Sequence, residues 1–213
     1  MNGLFVQLMT LMLVGTLTAC GGAGAQSTPE PSQSVPPVSS APVESAPTAN
    51  GEPHVLVAYF SATGNTENIA GHIRTALDAD LYEIVPEAPY TSEDLDYSDD
   101  DCRANREQND PDARPAISGS VEHMEDYDVV FLGYPIWWGQ APRIIDTFLE
   151  SYDFEDVTIV PFCTSGSSGI DGSLEELRAL APDAGWLDGR RFSSGTAQEE
   201  VAAWAEGLDL SRN

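Results

Sequence analysis

Beyond residue 53 the spacing of apolar positions changes repeatedly. "HVLVAYF" (54–60) is a short apolar run rich in Val and aromatics, which predicts a buried strand. From Thr66 the apolar positions fall at Ile69, Ile73 and Leu77, with Ala70 and Ala76 beside them, which predicts an amphipathic helix over 66–77. "LYEIV" (81–85) alternates and reads as a second strand nearer an edge, and "DVVFLGYPI" (128–136) as a strongly apolar third. "APRIIDTFLESY" (141–152) predicts a helix with Pro142 in its first turn. "VTIVPFC" (157–163) predicts the fourth strand. "GSLEELRAL" (172–180) predicts a helix, with Ser173 and Glu176 in capping-box spacing. "RRFSS" (190–194), extended by the "WLDG" before it, gives a weak fifth strand. "TAQEEVAAWAEGLDL" (196–210) closes as a helix, with Thr196 and Glu199 again spaced as a capping box.

Strands alternating with helices predict an α/β fold, a doubly wound five-stranded parallel sheet with helices on both faces. Residues 87–120 break the alternation. This acidic segment, with "EDLDYSDDDCRANREQND" at its centre, is too long for a structureless loop. It predicts an exposed irregular helix around 93–108, then an extended "ARPAIS".

The first 52 residues follow neither period. Residues 1–19 are apolar and end in small residues before Cys20, as in a signal peptide. "LTAC" (17–20) resembles a bacterial lipobox, which implies lipidation of Cys20; the absence of Lys and Arg from 1–10 departs from that pattern. Residues 20–52 are dominated by Ser, Pro, Ala, Gly and Thr and contain no aromatic, so they cannot bury enough apolar surface to order themselves. They read as a tether, reaching ~30 Å as a flexible coil and ~100 Å if extended. That leaves 53–213 as one domain, and the expected location is extracytoplasmic, on a bacterial membrane through a lipid anchor.

Charge narrows the partners. The chain has no Lys, and its formal charge is −26. Three acidic residues (Glu30, Glu44 and Glu52) lie in the tether, so the domain sets 32 carboxylates against 9 Arg, or −23. Such a surface repels nucleic acid and favours partners with basic faces. His54, His72 and His123 are scattered and the cysteines lack metal-ligand spacing, so no metal site is expected. Cys102 and Cys163 could pair or stand as separate thiols.

Three polar, glycine-bearing loops leave the carboxyl ends of predicted strands: "SATGNT" (61–66), "YPIWWGQAP" (134–142) and "CTSGSSGI" (163–170). In open α/β sheets ligands bind outside those ends, where strand order reverses. In the first loop Ser61, Thr63, Asn65 and Thr66 supply side-chain donors, Gly64 lets the backbone turn closely, and the N–H groups of the following helix favour an anion. It is neither a Walker A loop, having no Lys, nor G-x-G-x-x-G. A neutral loop of this kind suits one terminal phosphate monoester. Trp137 and Trp138 after the third strand could wall a flat ring, or one of them could belong to the core.

"VAYFSATGNT" with its helix, "GYPIWWGQAP" and "FCTSGSSG" resemble the flavodoxins and flavodoxin-like FMN proteins over 54–210. The strand order 2-1-3-4-5 is taken from the resemblance, flavodoxin being the type example of that order. The resemblance implies bound FMN. It implies that Ser61, Thr63, Gly64, Asn65 and Thr66, with Ala62 in the same loop, hold the phosphate. Pro135, Ile136, Trp137, Trp138 and Gly139 would flank the ring, and Thr164, Ser165, Gly166 and Gly169 would line its pyrimidine side through backbone groups. Many electron-carrying flavodoxins place a Tyr in the loop after the fourth strand. Here that loop is small, which implies an open ring face.

Three functions follow. The first is an FMN redox protein passing electrons at the membrane surface, from or to a basic-faced partner or a membrane donor. The second is an FMN-dependent reductase of quinone-, nitro- or azo-type acceptors; no acid or base is assigned, Tyr134 being one example of a candidate near the loops. The third is a non-redox lipoprotein binding a phosphorylated metabolite.

Overall fold

The computed structural model describes residues 51–210. The signal peptide, Cys20 and most of the tether lie outside them. Chain order is β1 (Val55–Tyr59), α1 (Asn65–Leu77), β2 (Asp80–Glu83), β3 (Val85–Pro86), α2 (Arg103–Gln108), β4 (Ile117–Ser118), β5 (Val129–Pro135), α3 (Arg143–Glu150), β6 (Thr158–Thr164), α4 (Asp171–Leu180), β7 (Gly185–Trp186), β8 (Arg190–Phe192) and α5 (Gln198–Glu206). The main sheet is parallel and runs β2-β1-β5-β6, with β7 and β8 both pairing along the outer side of β6. With β7 and β8 counted as one edge position, this is the expected order 2-1-3-4-5.

Alternation along each strand sorts the core onto two faces. Leu56, Ala58, Val130, Leu132, Ile159 and Cys163 face one cluster, which Ile144, Ile145 and Phe148 of α3 and Leu174 and Leu177 of α4 complete. Val57, Tyr59, Phe131, Val160 and Phe162 face the other, with Ile69 and Ile73 of α1 and Val201 and Ala205 of α5. Both faces are covered, which is why these strands read as unbroken apolar runs.

The weak fifth strand is split, and Pro161 supplies the reason. The carbonyls of Val157 and Ile159 accept from Gly185 and Leu187 on the edge side, whereas Thr158 N–H donates to Asp128 on the β5 side. By alternation Pro161 also faces the edge side, and it has no N–H to offer there. β7 therefore stops at Trp186, and β8 starts at Arg190 beside Phe162. Gly189 fits in the gap because a Cβ there would come within 2.7 Å of Ile170 Cδ1 and 3.0 Å of Pro161 Cγ.

Both expected capping boxes are corrected. Ser173 is the third residue of α4, not its cap; its hydroxyl donates to Ile170 O at 2.7 Å and meets Tyr134 Oη at 3.0 Å. Glu176 pairs with Arg143 instead. Ala197 caps α5, while Thr196 Oγ1 accepts from Ser193 N–H at 3.1 Å. Pro142 sits at the cap of α3, one residue before its first turn.

The expected helix at 93–108 forms only over Arg103–Gln108. Upstream, Asp and Thr side chains take the backbone donors: Asp94 accepts from Thr91 N–H, Asp96 from Ser98 N–H and Asp99 from Asp101 N–H, each at 2.9 Å. These local bonds compete with the helix ladder. The extended end of "ARPAIS" pairs antiparallel with Val85–Pro86. Cys102 and Cys163 are buried free thiols. Among the described residues there is no cluster of potential metal ligands, and no helix is long and apolar enough to cross a membrane.

Candidate functional site

The loops at the carboxyl ends of β1, β5, β6 and β8 enclose a cavity of about 460 Å³. Ser61, Ala62, Thr63, Asn65 and Thr66 line one part, Pro135, Ile136 and Trp137 another, and Thr164, Ser165 and Gly166 a third. Gly64, Trp138, Gly139 and Gly169 do not line it. Gly64 shapes the wall: it caps α1 at φ 80° with no side-chain cap bond. Asn68 N–H reaches Gly64 O at 3.1 Å, so the N–H groups of Asn65, Thr66 and Glu67 have no intrahelical acceptor. These donors and the helix dipole suit an anion. Glu67 stands nearby, its Oε2 3.8 Å from where a Cβ on Gly64 would lie.

The hydroxyls around this end are already partly engaged. Asn65 Nδ2 donates to Thr63 Oγ1 at 3.1 Å. Thr66 is buried, and its Oγ1 meets Thr164 Oγ1 at 2.8 Å. Thr66 therefore offers the cavity its N–H, while its side chain ties the first loop to the third.

The two tryptophans part company. Trp137 is 4% exposed and packs edge-on against Phe60 and Tyr90, at centroid distances of 5.6 and 5.1 Å. Trp138 is 42% exposed and lies on Tyr97, with centroids 4.5 Å apart and planes 35° apart. The backbone dictates the split. Trp137 and Gln140 exchange two N–H···O bonds of 2.9 Å around Trp138 and Gly139, which have φ of 46° and 84°. Positive φ at both central residues is the requirement of a type I′ turn, and at Trp138 it is a strained conformation for a side-chain-bearing residue.

Four lining residues escaped the sequence reading: Leu95, Tyr97, Ser193 and Ser194. The serines follow β8, at the carboxyl end of a parallel strand, so the positional rule used for the other loops reaches them too. Leu95 and Tyr97 come from the acidic segment, where only their apolar character among carboxylates marks them. Tyr134 does not line the cavity. It is fully buried, hydrogen-bonded to Ser173, and its phenol is pushed up by burial, so it is no acid or base for this site.

Apart from Tyr97 no side chain among the described lining residues is ionisable. The nearby cation is Arg191, whose Nη1 donates to Ser165 O at 2.8 Å and Gly166 O at 3.4 Å. Burial pushes the adjacent Cys163 thiol up to about 12, with Arg191 pulling the other way. Gln108 anchors the Trp loop from behind, its Nε2 donating to Trp137 O and Ala141 O at 3.2 Å each. The arrangement can hold an anion at the start of α1 and a flat ring at the aromatic end.

A flavodoxin family model matches residues 54–208. The chain belongs to the flavodoxin family. Among flavodoxin-like solved structures, a candidate flavoprotein from Bacteroides eggerthii is 46% identical over 73% of this chain and 97% of its own, with a TM-score of 0.69. Another from Bacteroides uniformis is 43% identical over 72% and 98%, with the same TM-score. A flavoprotein from Lactobacillus acidophilus in complex with FMN shares the fold at 22% identity and TM-score 0.53, over 72% of this chain and 99% of its own. The flavodoxin of Haemophilus influenzae is 32% identical over 102 residues, 46% of this chain; the match spans 42% of that protein's length. Within the flavodoxin fold, this chain's acidic segment reaches the site and supplies two of its lining residues.

Proposed function

We propose that the chain is an FMN-binding redox protein that passes electrons to or from a partner protein. One observation carries the reading: an uncapped helix start, a neutral hydroxyl loop and an aromatic wall meet in a single cavity of about 460 Å³. That size falls within the range of cofactor pockets. FMN fits because its monoester needs donors without a fixed cation, and its ring needs a flat apolar face. The free N–H groups of Asn65, Thr66 and Glu67 and the hydroxyls of Ser61 and Thr63 would hold the phosphate. Ile136, Tyr97 and the Ser165–Gly166 loop would bound the ring. Bound FMN supplies one- and two-electron transfer; the chain supplies binding, orientation and the local field.

The lining leans toward a carrier: Tyr97 is the one ionisable side chain among the described lining residues, so the chain offers an acceptor little side-chain acid–base assistance. The domain's surplus of carboxylates suits a partner with a basic face. "LTAC" before the Ser/Pro/Ala-rich segment supports anchoring through Cys20 on the outer side of a bacterial membrane.

The test is purification followed by an absorption spectrum and FMN titration. A yellow protein, or a colourless one that takes up one FMN, is expected. Failure to bind added FMN overturns the reading and leaves phosphometabolite binding. Membrane fractionation of wild type and Cys20→Ala tests the anchor separately.

A further inference from the structure

Resting on the FMN reading, we propose that Tyr97, backed by Trp138, is the aromatic plate against which the ligand's ring lies, so that the acidic segment between β3 and β4 sets which ring systems the pocket accepts. Trp137 is withdrawn into the core against Phe60 and Tyr90. Trp138 lies outside the cavity lining, on Tyr97. Tyr97 is the aromatic side chain that both lines the cavity and remains 58% exposed.

Its placement is built. Asp94 takes Thr91 N–H and Oγ1, both at 2.9 Å, and Asp96 takes Ser98 N–H at 2.9 Å and Ser98 Oγ at 2.7 Å. These turns bracket Leu95 and Tyr97, leaving both on the cavity. From the opposite side the strained turn aims Trp138 onto the Tyr97 ring. The segment grips the same turn a second time, through Gln108. Pre-ordering an aromatic face lowers the entropy lost when a ring stacks on it. A phenol plate favours flat, conjugated rings over sugars or aliphatic chains. The small loop after β6 thus leaves no missing wall, because the wall comes from a different part of the chain.

The experiment compares wild type, Tyr97→Leu, Tyr97→Phe and Trp138→Leu for affinity toward FMN and riboflavin, and for fluorescence of the bound flavin. Riboflavin lacks the phosphate and so reports the ring alone. Tyr97→Leu is expected to weaken both ligands equally, about 3- to 10-fold, and to brighten the bound flavin by removing a stacked quencher. Tyr97→Phe should restore both properties, and Trp138→Leu should give a smaller change in the same direction. Unchanged affinity and fluorescence in Tyr97→Leu overturns the assignment while FMN binding stands. So does a loss confined to FMN, or a larger effect from Trp138→Leu. A wild-type protein with no affinity for either flavin overturns this assignment and the FMN reading together.

Discussion

The hydroxyls of Thr66 and Thr164 meet at 2.8 Å, 98 residues apart in the chain and both buried. This bond joins the start of α1 to the end of β6, so the anion end of the cavity and its third wall move as one. Replacing one partner leaves the other hydroxyl buried and unpaired, which costs about 1–3 kcal/mol. Thr164→Val and Thr66→Val should each destabilise by that amount, and the double variant by clearly less than their sum. Denaturant titrations of the four proteins check this; strict additivity would show that the two hydroxyls do not depend on each other.

Gly133 in β5 lies under the ring of Phe162. A Cβ there would sit 2.1 Å from Cζ of that ring, and Phe162 is fully buried with nowhere to swing. Gly133→Ala should therefore cost about 1–3 kcal/mol through overpacking. Phe162→Leu in the same chain should recover part of the loss. The thermal midpoints of the single and double variants read the outcome.

Alkaline pH should unfold the protein earlier than its acidic composition suggests. Burial pushes the Cys163 thiol up to about 12; burial and then Glu83 push the Tyr59 phenol up to about 12; burial raises Tyr134 as well. A folded-state pKa above the unfolded one gives stability that is complete below the unfolded value and lost as pH rises through the folded one. The unfolded chain releases these protons near pH ~8.5 for the thiol and ~10 for the phenols. Urea midpoints should hold level to about pH 8.5 and fall toward pH 11. Cys163→Ser should delay the onset by about one pH unit or more.

Arg191 bonds to the carbonyls of Ser165 and Gly166, two residues of the cavity wall. Its charge favours added electrons on a bound flavin, against the field of the surrounding acids. Arg191→Gln should weaken binding of the reduced flavin relative to the oxidised one by about tenfold, which is ~30 mV lower in the two-electron potential. Potentiometric titration at low and high salt checks this. The shift should shrink with added salt, because Arg191 is exposed.

The sheet was legible because its central strands are buried on both sides. "VLVAY", "VVFLGYP" and "TIVPFCT" announce themselves as apolar runs, and the loops after them follow from position alone. What stayed hidden depended on contacts between distant residues. The caps at Ser173 and Thr196 have the right spacing, yet Tyr134 and Ser193 take those hydroxyls. Trp137 and Trp138 are adjacent and identical in the sequence; only the positive φ at Trp138 sends one inward and one out. Tyr97 is one aromatic in a run of acids, and nothing local says that the run folds back over the β5 loop.

The break at Pro161 reaches beyond the path of one strand. A sheet whose outer strand is long and continuous offers a template on which a second molecule can extend the ladder. Here that margin is two pieces of two and three residues, interrupted at Leu187–Gly189. The opposite margin, β2, begins and ends in carboxylates at Asp80 and Glu83. Neither border of the main sheet presents a long, uncharged ladder, so edge-to-edge addition of a second copy is disfavoured on both sides.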